Sequence, residues 1–305
     1  MFNIIGKRYV FFLISGLFIL VSVISLATAG LKSGIEFSSG SILSVKFEAP
    51  VEYAQFKQII IEQGYTDAIV QTVGENEFLI RTREINETEK AQIESSLASR
   101  FGSLSESQFY SVSPLVASET VRSAVIAVVV AMVGILLYVT WAFRRMPNAF
   151  RWGTCSIIAL FHDALVTVGL FSIFGAILGW EINLMFITGI LTVIGYSINN
   201  TIVVFDRIRE NEIKGISGNF ETIVNSSQVE TLGRSMNTSV TTLITSLALL
   251  LFVGSTIQNF AVVLIIGIAV GTFDSLFVAP GLLVVWDKNE WGRFIGRSKP
   301  APVKA

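Results

Sequence analysis

The chain has 305 residues, 52% of them hydrophobic and 15% charged, with a formal net charge of -1 and a mean hydropathy of +0.65. Such apolarity excludes an ordinary soluble protein and makes the chain an integral membrane protein with lipid around it and no nucleic-acid partner. With one cysteine (Cys155) and one histidine, neither an internal disulfide nor a thiolate metal site can be assembled, and no Walker loop, dinucleotide fingerprint or GxSxG elbow appears. No enzyme activity, cofactor or metal is therefore expected, and any work done must be driven by an ion gradient.

The first apolar run, 9 to 31, is longer than the apolar core of a signal peptide and is expected to persist as a membrane helix. GIEFSSGS at 34 to 41 follows, with Gly34 and Gly40 among small hydroxyl residues around Phe37, and reads as a tight turn leading into a strand. The segment 32 to 121 then alternates signals in the order βαββαβ. Strands are predicted at 41 to 47, 67 to 73, 77 to 83 and 108 to 116. Helices are predicted at 51 to 63 and from a cap at Asn86 to about Phe101, with a turn at Gly74-Glu75-Asn76. The order is that of a ferredoxin-like split βαβ unit, read either as a binding head or as a plug that shapes an outer vestibule.

Five more spans are predicted at 123 to 141, 154 to 177, 182 to 205, 236 to 256 and 260 to 286. The third span overall carries His162 and Asp163, with Ser156 and Thr167 on the face of Asp163. On the fourth, Gly189, Thr192, Tyr196, Ser197, Asn199 and Asn200 share one face, expected to point into a bundle, while Leu191, Ile194, Ile198 and Ile202 cover the other. In an arbitrary membrane protein, amides there read first as helix-packing groups. The stretch from Asp206 to Gly233 reads as a helix along the inner membrane face, with Arg207 and Arg209 as topological anchors.

The fifth span opens with Arg234, followed at helical spacing by Asn237, Thr238, Thr241, Thr242 and Thr245, a stripe that reads either as a water-lined path or as backbone-bonding threonines. In the sixth, Asp274 sits near mid-span with Gly267 and Gly271, which would admit a closely packed helix. A mid-span carboxylate is expensive, so Asp274 is expected to exchange protons or to pair with a cation such as Arg234.

Basic residues gather at Lys7, Arg8, Arg144, Arg145, Arg151, Arg207, Arg209, Lys214, Arg234 and Lys288 and in the tail, whereas the short loops around Trp180 and Gln258 have none. Both termini are therefore expected to be cytoplasmic, and the tryptophans fall at span ends as an interfacial belt requires. The expected organisation is 1–31, cytoplasmic N-terminus and first helix; 32–121, external domain; 122–286, five helices with a cytoplasmic loop at 206–235; and 287–305, a basic tail.

GYSINNTIVVFDRIREN at 195 to 211 resembles the fourth membrane helix of the SecF family, part of the bacterial Sec protein-export machinery and of the RND superfamily. GIEFSSGS, HDALVTVGLF at 162 to 171 and RSMNTSVTTLITSLALLLF at 234 to 252 agree in order. The resemblance rests on Gly34, Glu36, Phe37, Gly40, Gly195, Tyr196, Ser197, Asp206 and Arg207, with Glu36 standing for the family's usual Asp and Ser39 for a Gly. It implies a six-helix RND-type half-bundle with one ferredoxin-like external domain, in the bacterial inner membrane. It also implies SecD and the SecYEG channel as partners, an unfolded exported polypeptide as substrate, and use of the proton gradient.

In this family the position of Asn200 is commonly an aspartate taking part in proton transfer, and the arginine matching Arg234 is implicated in function. An amide cannot titrate. Asp274, where relatives carry a small residue such as Ser, is one candidate to replace that acid; a subunit that leaves proton relay to its partner is the other. The expected polar bundle face comprises Asp163, Asn199, Asn200, Arg234, Thr238, Thr241 and Asp274. The alternatives to export are a passive scaffold subunit and an RND-type exporter of lipids or small molecules.

Overall fold

The computed structural model describes residues 2–215, 218–253 and 257–291. The basic tail from 292 onward and the expected end of the fifth span at 254–256 lie outside the described residues. The chain forms two compact units, Ser33–Val125 and Met1–Lys32 with Ile126–Ala305.

In the smaller unit a short helix α2 (Ile35–Ser38), after the membrane helix α1 (Arg8–Thr28), leads into β1 (Gly40–Phe47), α3 (Tyr53–Glu62), β2 (Ile69–Gly74), β3 (Glu77–Thr82), α4 (Glu87–Phe101) and β4 (Leu104–Val112). The antiparallel sheet runs in the order β2-β3-β1-β4, and the βαββαβ reading holds. Strand alternation sends Leu43, Val45 and Phe47 of β1 and Phe78 and Ile80 of β3 to one face, where they bury against Phe56 and Ile60 of α3 and Ile93 and Leu97 of α4.

GIEFSSGS forms a helical turn rather than a simple loop. Gly34 caps it, Ser39 turns back with φ 63°, and Gly40 has φ 124°. A Cβ on Gly40 would lie 2.7 Å from the Thr82 carbonyl oxygen, so glycine is required by both conformation and space. The fourth strand starts earlier than expected and stops at Val112, because Pro114 opens a helix instead of ending a strand.

Among the described residues, six apolar helices are long enough to cross a membrane: Ile5–Thr28, Pro114–Ala142, Ala149–Leu178, Leu184–Ile213, Phe220–Phe252 and Gln258–Asp287. The first comprises a 3-10 turn and α1; the next four are α5 to α8. The last is α9 (Gln258–Phe273), a π turn at Asp274–Val278 and α10 (Ala279–Asp287). The stretch after Asp206 is not a separate surface helix: α7 runs on to Ile213 and α8 begins at Phe220.

Glycines set the close crossings. A Cβ on Gly169 of α6 would come within 2.1 Å of Ser22 Cβ on α1, one on Gly153 of α6 within 2.3 Å of Thr140 Oγ1 on α5, and one on Gly267 of α9 within 2.2 Å of Val193 on α7. The GxxxG pair of the sixth span thus admits α7.

Candidate functional site: a buried His-Asp-Asp cluster

Asp274 begins the π turn, a feature that locally widens a helix and re-aims its side chains. Pro280 has no N–H for the carbonyl of Leu276, four residues back, and Gln228 Nε2 of α8 donates to that carbonyl at 2.7 Å. The break is therefore braced from a neighbouring helix.

At the break three ionisable groups meet. His162 Nδ1 lies 3.0 Å from Asp163 Oδ1 and 3.4 Å from Asp274 Oδ1, and the Ser197 hydroxyl of α7 donates to Asp163 Oδ2. Asp274 is 0% exposed, Asp163 1% and His162 6%. Among the described residues neither Asp274 oxygen has a hydrogen-bond partner, so its contact with the imidazole is electrostatic, and His162 Nε2 has none either. Gly271 keeps the third side open to this group, since a Cβ there would sit 2.9 Å from Ser197 Cβ and 3.3 Å from Asp163 Oδ2. His162, Asp163 and Asp274 place one donor atom each within 4.8 Å of one another, a spread that suits a shared proton and would also suit a cation.

Two sequence expectations are corrected here. Asp163 finds Ser197 and His162 rather than Ser156 and Thr167; Ser156 bonds the Trp152 carbonyl and Thr167 Oγ1 has no partner. Asp274 faces His162, not Arg234, which is exposed on α8 beside a cavity of about 230 Å³ lined by Val203, Asp206, Arg207, Glu210 and Glu230.

The polar face of α7 is split. Ser197 and Asn200 are buried with Val193, Ile194 and Ile198, while Thr192, Gly195 and Asn199 are exposed and Tyr196 is half-buried. On α8, Thr238, Thr241 and Thr245 are exposed and donate to the carbonyls of Arg234, Thr238 and Thr241 one turn back, and the buried face is instead Ser227, Gln228, Ser235, Ser239 and Ser246. Ser239 is the residue that sequence reasoning passed over. Its hydroxyl lies within hydrogen-bond distance of Asn200 Nδ2 (3.2 Å), Tyr196 OH (3.3 Å) and Thr272 Oγ1 (2.6 Å). It occupies the serine of the RxxNTSxTT run, and its spacing of four residues from Ser235 and seven from Ser246 was the available signal.

The remaining motif residues knit helix ends. Arg207 pairs with Glu210 and Glu230 at 2.5 Å each, Asp206 with Arg209 at 2.5 Å, and Asn211 reaches Ser227 and Glu230 at 2.9 Å. Arg207 is thus a cross-link between α7 and α8, not only an anchor. Arg8, one of the basic residues counted on the expected cytoplasmic side, is buried and pairs with Glu221 and Glu290 at 2.7 Å each. Glu36 and Phe37 sit half-buried on α2.

Six membrane-length helices with buried polar clusters and a βαββαβ domain define a multi-pass membrane protein of the RND-type half-bundle class. The family model for the C-terminal part of the SecD/SecF protein export membrane proteins matches residues 92–289. The chain belongs to the SecD/SecF family, on its SecF side. It is 43% identical over 312 residues to the protein translocase subunit SecF of Thermobaculum terrenum, covering 98% of each chain, and 41% identical to that of Anaerolinea thermophila, covering 99% of each. It superposes on the crystal structure of SecDF, a translocon-associated membrane protein from Thermus thermophilus, with a TM-score of 0.79 and 33% identity. That match covers 94% of this chain and 39% of the SecDF chain.

Proposed function

We propose that this chain is a protein-export subunit that works with a SecD partner beside the SecYEG channel and uses the proton gradient to draw or hold emerging polypeptide on the outer side of the inner membrane. The supporting observation is the His162–Asp163–Asp274 cluster, two carboxylates and an imidazole sunk between α6, α7 and the π turn. Two buried carboxylates sharing one imidazole cannot all be ionised at low cost, so the group is suited to holding and releasing protons. Asn200 lacks that ability and is engaged with Ser239 instead. In this reading the acid of this subunit is Asp274, with Asp163 beside it. Both termini lie on the cytoplasmic side in this reading, and the βαββαβ domain on the outer side.

The test is export by proteoliposomes carrying the assembled translocase. Asp274→Asn should insert normally and lose gradient-dependent export, and Asn200→Asp in that background should restore part of it. Normal export by Asp274→Asn together with failure of Asp163→Asn would move the working acid to α6 alone. Normal export by both would leave the subunit a passive one, with proton coupling in its partner.

A further inference from the structure

The His162 ring stands between the two carboxylates, with Nδ1 near both. We propose that His162 carries a proton between Asp274 and Asp163, one imidazole nitrogen serving both. Nδ1 is 3.0 Å from Asp163 Oδ1 and 3.4 Å from Asp274 Oδ1, so the same nitrogen can receive from one and deliver to the other with a small rotation of the ring. The opposite nitrogen does not oppose that rotation, because Nε2 has no hydrogen-bond partner. His162 also lines an apolar groove with Phe12, Ser15, Ile19, Ile158 and Leu282.

No other ionisable group takes part among the described residues. α6 contributes Asp163 and the π turn Asp274, α7 offers the Ser197 hydroxyl, and the α1 and α10 residues of the groove carry no charge.

The transfer balances at constant charge. Protonated Asp274, neutral imidazole with its proton on Nε2 and ionised Asp163 carry one negative charge together. The Asp274 O–H bond breaks as the Nδ1–H bond forms, giving imidazolium between two carboxylates. The Nδ1–H bond then breaks as Asp163 takes the proton, and the sum is unchanged throughout. The intermediate holds three ions, and the imidazolium, 3.0 and 3.4 Å from the two carboxylates, pairs with both of them and so offsets part of the cost of burying them. Ser197, bonded to the far oxygen of Asp163, connects this route to α7.

This inference rests on the proton-driven reading, and two measurements separate their failures. In the assembled translocase, His162→Gln keeps a nitrogen donor but cannot take up a proton, and gradient-driven export should fall on the order of a hundredfold. In nanodiscs, infrared spectra of the full chain should show the carboxylic-acid band of each aspartate responding to removal of the other, and His162→Gln should make the two bands independent. Export by His162→Gln at the wild-type rate, or independent carboxyl bands in the wild type, would overturn the proposal. So would a stoichiometric metal ion in the purified protein that His162→Gln releases, because these atoms would then hold a cation. If wild-type export proves indifferent to collapse of the gradient, the functional reading fails and the infrared result alone decides whether the proton is shared.

Discussion

Single positions in this chain are decided by how closely two backbones approach. Gly169 faces Ser22 so tightly that an added Cβ would stand 2.1 Å from Ser22 Cβ and 2.5 Å from its Cα. A flexible side chain could swing away, but a backbone atom on a packed helix cannot. Gly169→Ala should therefore force α1 and α6 apart and cost about 1–3 kcal/mol, the usual penalty of overpacking. Reversible unfolding in mixed micelles measures this, with Gly134→Ala as the comparison, since nothing lies within 4 Å of a Cβ there and alanine favours a helix. No loss in Gly169→Ala would mean that the crossing is looser than its geometry. The same closeness explains why Gly271 stands beside Asp163 and Ser197: any side chain there would displace the groups that hold the cluster together.

At the scale of elements, two devices make local predictions. In the first, Asn86 accepts from the N–H groups of Thr88 and Glu89, and Glu89 accepts from the Asn86 N–H, so α4 begins with a complete capping box. That bond to the Asn86 N–H, with Arg83 at 3.0 Å adding to it, holds the Glu89 carboxyl below its ordinary value of 4.5. A depressed carboxylate stabilises the folded state above the unfolded value and ceases to do so as pH falls through the folded one. Amide protection in the first turn of α4 should accordingly drop as pH is taken below about 4.5, and Asn86→Ala should remove about 1 kcal/mol at neutral pH. Hydrogen exchange reads both; protection that is flat across the acid range would show that the box contributes nothing.

The second device is Gln228 against the Leu276 carbonyl. Gln228→Leu leaves that buried acceptor unpaired and should cost about 1–3 kcal/mol, with faster exchange through the π turn. A variant as stable as the wild type would show that water takes the place of the amide.

The elements themselves were legible: apolar length announces a span whatever its neighbours, and period-two alternation in SILSVKF and EFLIRTR announces strands. The site was legible only in part. Periodicity placed Ser197 and Asn200 together but could not say that the buried side of α7 also holds Val193, Ile194 and Ile198, because in lipid an apolar face is no sign of the interior. The meeting of His162, Asp163 and Asp274 depends on how α6 crosses the π turn, a distance of more than a hundred residues that no local pattern encodes.

The whole molecule leaves polar groups uncovered within helices that span. Asn199 and Thr192 on α7 and Thr238, Thr241 and Thr245 on α8 are exposed, as is Arg234 at the start of the same stripe. The α8 threonines satisfy their hydroxyls on carbonyls of the preceding turn, but Asn199 is a four-site amide, and a charged or amide group facing hydrocarbon costs on the order of 1–3 kcal/mol. The chain also matches 39% of a SecDF chain that continues well beyond it. A second set of helices lying over α7 and α8 is the expected cover. If so, Asn199→Leu and Thr241→Leu should leave insertion and the monomer's own stability unchanged, since neither side chain is buried in the chain by itself, but should weaken association with the partner about tenfold together. Arg234→Lys should weaken it as well if the planar guanidinium pairs across the interface, and leave it intact if the charge merely anchors the helix. The measurement is recovery of the second six-helix polypeptide in mild detergent, titrated by dilution. If the double substitution leaves recovery unchanged while making the isolated chain more stable, the stripe faces lipid, and the partner must dock on another side, such as the exposed apolar length of α5.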